Sequence, residues 1–210
     1  MTKPNCNMKK HLLLTGILLL FSTLVSIAQN SASEAVKKIA QSLRDHKNVE
    51  MTFTYQYVTD ANDSSEKQDG KAYLQGEAYK IIMKEQQNIS DGTTIWCYLV
   101  DDGEVMVSDA TEGTDNTPLK LLTTIDKDFA ATQKPGGIIE LTNPKGSFKK
   151  VILRHDLKRY DLVKGLDVFA DDGSKMVIDI LEMKFDQDLK DGFFTFDEKA
   201  YPNVEIIDMR

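Results

Sequence analysis

The sequence predicts a mainly β, α+β protein: one long antiparallel sheet with an amino-terminal helix and a short helical insert as its cover. Three observations carry this. Apolar and polar residues alternate with period two through most of the chain after residue 50. Tight-turn sequences, Asp91-Gly92, Asp101-Asp102-Gly103 and Asp171-Asp172-Gly173, punctuate those runs. No helix-length stretch recurs between strands, so there is no parallel βαβ rhythm.

In chain order, Lys9, Lys10 and His11 precede an apolar run from Leu12 to Leu20, extended by Phe21, Leu24 and Val25, with small residues at Ser26 and Ala28. A basic start, a short apolar stretch and a small-x-small exit describe a secretory signal over residues 1–28, cleaved near Ala28/Gln29. The run falls short of the ~20 residues of a membrane span; an uncleaved anchor is the competing reading. Met8 would serve as a start as well as Met1. Cys6 lies before the apolar run, so it is not a lipoprotein's lipidated cysteine. Residues 29–210 are expected to form a single domain in the periplasm, as a monomer.

Ser31 or Ser33 is positioned to cap a helix running to about His46, with Ala35, Val36, Ile39, Ala40 and Leu43 at helical spacing. Strands are expected at Met51–Val58, Gly70–Gln75, Ala78–Lys84, Gln87–Ser90, Thr94–Val100 and Glu104–Ser108. Between 111 and 135 the alternation breaks. Thr117-Pro118 starts a short helix with Leu119, Leu121 and Leu122 behind it, and Ile125 to Ala131 suggests a second. Strand patterns resume at Gly137–Leu141, Phe148–Arg154, Tyr160–Ala170, Lys175–Phe185, Phe193–Phe196 and Val204–Met209, giving ten or eleven strands.

One side of the better strands reads Phe53/Tyr55/Tyr57, Tyr79/Ile81/Met83, Val105/Val107 and Met176/Ile178/Ile180; the other is polar. A helix of about 14 residues reaches only about 20 Å, far less than ten strands at about 4.8 Å spacing. The sheet therefore closes on itself or curls around a space that its helices only partly fill. A filled core without ligand and a ligand cavity both fit that pattern.

Other chemistries find little support. The net charge of −7 becomes −10 once Lys3, Lys9 and Lys10 leave with the signal, which argues against nucleic acid and anionic membrane surfaces. Cys97 alone remains after residue 28, so neither an internal disulfide nor a cysteine metal framework is available, and no cofactor or metal is expected. His155-Asp156 resembles half of a catalytic or metal pair without its further members. Ser108, Ser147 and Ser174 lack the hydrolase Gly-x-Ser-x-Gly context, and Gly136-Gly137 lacks a phosphate-loop lysine. The acidic turns lack calcium-loop spacing. Cys97, between Trp96 and Tyr98, reads as an inert buried thiol. The chain is not expected to be an enzyme.

The segment Ile89-Ser90-Asp91-Gly92-Thr93-Thr94-Ile95-Trp96-Cys97-Tyr98 resembles the strand, Ser-Asp-Gly turn and aromatic strand of the periplasmic outer-membrane lipoprotein carrier (LolA-like) family. Phe53-Thr54-Tyr55-Gln56, then Asn116-Thr117-Pro118 with Leu119, Leu121 and Leu122, then Phe194-Thr195-Phe196 with Val204-Glu205-Ile206 resemble further family segments in the same order. The resemblance implies a half-open, incomplete β-barrel lidded by helices, with acyl chains in its hollow. Its cargo would be acylated lipoprotein or lipid, collected from an inner-membrane lipoprotein-releasing transporter and passed to an outer-membrane acceptor. A lipid-sensing or partner-binding module on the same fold is the alternative. The family's latching Arg-Pro, after the strand matching Lys71–Gln75, is replaced here by Gln75-Gly76-Glu77, so the resemblance assigns no latch. The expected cavity residues are Phe53, Tyr55, Tyr57, Leu74, Tyr79, Ile81, Met83, Trp96, Tyr98, Val105, Val107, Met176, Ile178 and Ile180, under Ile39, Leu43, Pro118, Leu119, Leu121 and Leu122 of the lid.

Overall fold

The computed structural model describes residues 31–59, 63–110, 117–146 and 148–210. The proposed export signal, Asn116 of the insert motif and Ser147 lie outside them. Helix α1 (31–45) buries Ala32, Val36, Ile39, Ala40 and Leu43, a single stripe at helical spacing. Ser31 and Ser33 both lie within the helix, so neither is its cap.

The strands are β1 (Val49–Val58), β2 (Gln68–Gln75), β3 (Ala78–Met83), β4 (Gln86–Ser90), β5 (Thr94–Leu99), β6 (Glu104–Asp109), β7 (Ala130–Lys134), β8 (Ile138–Thr142), β9 (Lys150–His155), β10 (Val163–Phe169), β11 (Lys175–Phe185) and β12 (Glu205–Asp208). Among the described residues these twelve make one sheet in the order β12-β6-β5-β4-β3-β2-β1-β11-β10-β9-β8-β7. Neighbours are antiparallel except β12, which runs parallel to β6. The end strands β12 and β7 do not meet, so the curved sheet stays open, as the half-open barrel expectation requires.

Three expectations need correction. Leu119, Leu122 and Ile125 form one continuous helical stripe, so the insert makes a single helix, α2 (Leu121–Asp128), not two. Ala130 and Ala131 instead open β7, where Ala131 pairs with Leu141; the short Ala-Ala-Thr-Gln-Lys run has too little apolar alternation to announce a strand. Phe193–Phe196 is not a strand but part of a turn-rich arm, residues 186–204, that crosses the back of the sheet.

The front face is the core. Rows such as Val49–Leu74–Tyr79 and Met51–Ala72–Ile81 run across β1, β2 and β3. Leu166, Val168, Leu153, Val151, Ile139 and Leu141 continue the face through β10, β9 and β8 and are fully buried under the helices. Asn48, 1% exposed, ties the start of β1 to the end of β11: its amide donates to Gln187 O (2.8 Å) and its side-chain oxygen accepts from Gln187 N (2.9 Å).

Two bulges bend this sheet. Thr52 pairs with Glu182 while Phe53 pairs with Ile180, leaving Leu181 as the extra, exposed residue. On β10, Lys164 is the extra residue between Val163 and Gly165. Bulges raise local twist, and here they curl the longest strand pair over its own core. Gly165 leaves room for the Arg154 guanidinium, which donates to Ile178 O (3.0 Å), pairs with Asp179 (2.9 Å) and also binds Asp167. A Cβ at residue 165 collides with the Ile178 carbonyl and that guanidinium. Gly165→Ala is therefore expected to cost about 2 kcal/mol, read as a lower urea midpoint with an unchanged slope.

Candidate functional site

A cavity of about 240 Å³ opens on the front face, where the packed half of the sheet gives way to β4–β6. Phe53 and Tyr55 of β1, Ile81 and Met83 of β3, Asn88 of β4, and Met176 and Ile178 of β11 form its walls; Thr117, Pro118 and Leu119, just before α2, form its roof. The register explains the convergence: Ile81 sits opposite Asn88, Tyr55 opposite Ile178, and Phe53 opposite Gly70. The Phe53 ring lies over Gly70 so closely that a Cβ there collides with its Cζ and both Cε atoms. The glycine thus fixes one wall. Met83 and Met176 supply flexible, polarisable surface.

The polar groups of the lining are neutral. Asn88 Oδ1 accepts from Gln86 Nε2 (2.9 Å), which also donates to Cys97 Sγ (3.1 Å). Thr117 Oγ1 accepts from the Lys120 amide (3.3 Å). Burial pushes the Tyr55 phenol and the Cys97 thiol above their ordinary pKa values, so both stay protonated at neutral pH.

The structure brings together Phe53, Tyr55, Ile81, Met83, Met176, Ile178, Pro118 and Leu119 of the residues expected there. Tyr79 and Leu74 share the face but lie in the packed core, and Leu74 borders a second cavity of about 250 Å³ with Leu43, Arg44, His46 and Thr123. Ile180 and Leu121 pack against the core half-buried; Ile39, Leu43 and Leu122 are within it; Tyr57 is an exposed rim residue. Trp96, Tyr98, Val105 and Val107 require correction. The row Tyr73–Lys80–Ile89–Trp96–Val107 lies on the back of the sheet, away from the cavity. There Phe196, Tyr201 and Val204 of the carboxy-terminal arm cover them in a second core, with Tyr98 5.0 Å from the Tyr201 ring. The back face of β5 is apolar because this arm covers it; its front residues Ile95, Cys97 and Leu99 stay half-buried.

Neither histidine forms the catalytic pairing weighed above. His155 Nδ1 meets the Asp156 backbone oxygen (2.8 Å), while the Asp156 carboxylate accepts from the Lys158 and Arg159 amides. His46 pairs with Asp186 (2.9 Å) and stacks on Phe185, joining the end of α1 to the end of β11. Among the described residues no group of His, Cys, Asp and Glu is arranged to hold a metal ion.

Sequence reasoning missed an arginine. Arg44 of α1 donates to Thr123 O (2.7 Å) and forks onto both oxygens of Asp126 (2.9 Å each), tying α2 to α1. The Arg44 hydrogen bond holds the Asp126 carboxyl below the usual carboxylate range and raises the guanidinium's pKa in turn. A carboxyl lowered on folding adds stability that is fully present above about pH 4, its ordinary pKa. That contribution is lost as pH falls through the lowered value. Arg44→Ala and Asp126→Asn should each remove about 1 kcal/mol of local stability. Hydrogen exchange of the α2 amides should accelerate about fivefold at pH 7, with the variants and parent converging in acid.

The family model for the outer membrane lipoprotein carrier protein LolA matches residues 45–197, well over half of the chain. Among solved structures, an uncharacterized conserved protein from Thermus thermophilus superposes with a TM-score of 0.52 at 12% identity, covering 85% of this chain and 99% of its own. A DUF1329 family protein from Desulfovibrio piger gives 0.47 at 12% identity, covering 83% and 99%. A LolA superfamily protein from Nitrosomonas europaea gives 0.44 at 12% identity, covering 79% and 98%. Among curated proteins, none matches the chain by sequence. With its open, helix-covered sheet and its match through β1–β11, this chain belongs to the LolA outer-membrane lipoprotein carrier family.

Proposed function

We propose that the protein is a periplasmic carrier that takes acyl chains of lipoproteins, or of similar lipids, into the front cavity and shuttles them from the inner to the outer membrane. The observation that carries this reading is the apolar cavity between β1, β3 and β11, roofed by the Thr117–Leu119 turn rather than by a strand. Each methylene it buries contributes about 0.8 kcal/mol. Seven of them give about 5–6 kcal/mol, a Kd near 0.1 mM at about 1.4 kcal/mol per tenfold. Such capture is releasable, and further chains tighten it.

At about 240 Å³ the cavity lies just below the ~300 Å³ at which drug-sized ligand sites begin. One short alkyl stretch fits it as it stands. Several chains require the segment from Thr117 through α2 to lift, and Arg44 supplies the bonds that resist lifting. On this reading Arg44, on α1, does the holding that the family assigns to an arginine elsewhere. Carrying needs affinity that differs between states, not a chemical step, so a wall without acid, base or nucleophile suits it. The expected export signal supports a periplasmic location, and the acidic balance of the chain suits a carrier that stays off anionic lipid headgroups. Among the described residues no helix is long and apolar enough to cross a membrane. Donor and acceptor would be the inner-membrane transporter and outer-membrane receptor that this family's route implies.

The partner-binding alternative draws on β12, an unpaired edge whose Ile206 and Ile207, with Met209 beyond it, are exposed. A pull-down that recovers a signalling protein and no lipoprotein would favour it. Under the carrier reading, native mass spectrometry of the mature protein shows a diacylated or triacylated peptide bound one to one. Met83→Glu places a charge on the cavity wall and should weaken that uptake at least tenfold, at about 1.4 kcal/mol per factor of ten, with little change in melting temperature. A parent protein that ignores acylated peptide and simple alkyl ligands alike refutes the reading.

A further inference from the structure

We propose that Asn88 makes this cavity selective for uncharged acyl groups, esters and amides, over free fatty-acid carboxylates. The inference rests on the carrier reading and narrows its ligand class.

Among the described residues, the polar side chains of the lining are Tyr55, Asn88 and Thr117, and none of those lining the cavity is a lysine, arginine or histidine. A carboxylate entering this space would leave water without a counter-ion, and an unpaired buried charge costs several kcal/mol. A carbonyl needs only a donor.

Asn88 is held to present one. Gln86 Nε2 donates to Asn88 Oδ1 at 2.9 Å and is anchored at 3.1 Å on Cys97 Sγ. With its oxygen so engaged, the Asn88 amide turns its NH₂ group away from Gln86, and that group has no acceptor among the described residues. Thr117 Oγ1 accepts from the Lys120 amide, which leaves its hydroxyl proton to donate from the roof. The raised pKa of the buried Cys97 keeps it a thiol, so no thiolate charge enters the relay. Two neutral donors in an otherwise apolar lining match the carbonyl of an ester or amide whose chain packs on Phe53, Ile81 and Met176.

The test is displacement of N-phenyl-1-naphthylamine, a neutral apolar dye, by methyl dodecanoate, dodecanamide and dodecanoate at equal chain length. At pH 8 the ester and amide should displace it at concentrations about a hundredfold lower than the carboxylate. Near pH 4, around the ordinary carboxylic-acid pKa, the gap should close as the acid becomes neutral. Asn88→Leu should weaken ester and amide about fivefold relative to the dye's own affinity in that variant, the worth of one hydrogen bond. Asn88→Asp, nearly the same shape, should weaken every carbonyl ligand and the carboxylate most. Melting temperatures confirm that both variants are folded. Equal displacement by ester and carboxylate at pH 8, or an ester preference untouched in Asn88→Leu, overturns the proposal while the carrier reading stands. Dye and alkyl ligands that do not enter the parent protein at all overturn both.

Discussion

An open sheet with an apolar front must hide that front beneath whatever the chain can spare, and here the spare material is two short helices. The rest of the architecture answers this constraint. The bulges at Leu181 and Lys164 increase the curl, so that α1 and α2 can reach across β8–β11 and β1–β3. Over that half the fit is complete: Ile139, Leu141, Val151, Leu153 and Leu166 retain no exposure. Beyond β3 the helices run out. Asn88, Cys97 and Met106 form a front row that is only half-buried, and the cavity sits at the boundary between the two regimes.

The two helices differ in how they are held. Helix α1 is anchored by a buried stripe and by the Asn48, His46 and Asp186 contacts that join it to the last residues of β11. Helix α2 has eight residues, no side-chain cap, and a fork from Arg44. Burial of Leu119, Leu122 and Ile125 holds it as well, and that apolar surface is what a ligand would replace. A firmly anchored helix and a more lightly held one thus share one sheet. The polar fork adds direction to a contact that burial alone would leave free to slide.

Most strand positions are legible in the sequence because alternation and Asp-Gly turns are local signals. The pattern over Lys175–Phe185 has the bounds the structure shows, and those of β2–β6 agree within one or two residues. What local signals do not carry is the phase from one strand to the next. Val105 and Val107 alternate as cleanly as Ile81 and Met83, yet the turn lengths between β3 and β6 place them on opposite faces. Period-two alternation assigns one apolar side to the whole sheet. It has no means of seeing that the 186–204 arm covers a second side. Arg44 is equally hidden: on the helical wheel it is a solvent-facing residue, and its partners lie 79 and 82 positions away. Asn88 and Gly70 become visible only once the register puts them opposite Ile81 and Phe53.

The unclosed ends of the sheet have a cost that the chain offsets locally. Strand β12 is only four residues long, and its two isoleucines stand between Glu205 and Asp208, the latter paired with Arg210 (2.7 Å). At the other end Gln133 folds back to donate to Lys134 O and Ile138 O (3.0 Å each), occupying carbonyls near the rim of β7. A very short edge strand gives another chain little length to pair with. Fibril growth by end-to-end strand addition is thereby discouraged at the β12 border. At that border the sheet can remain unclosed without offering its own copies a long template.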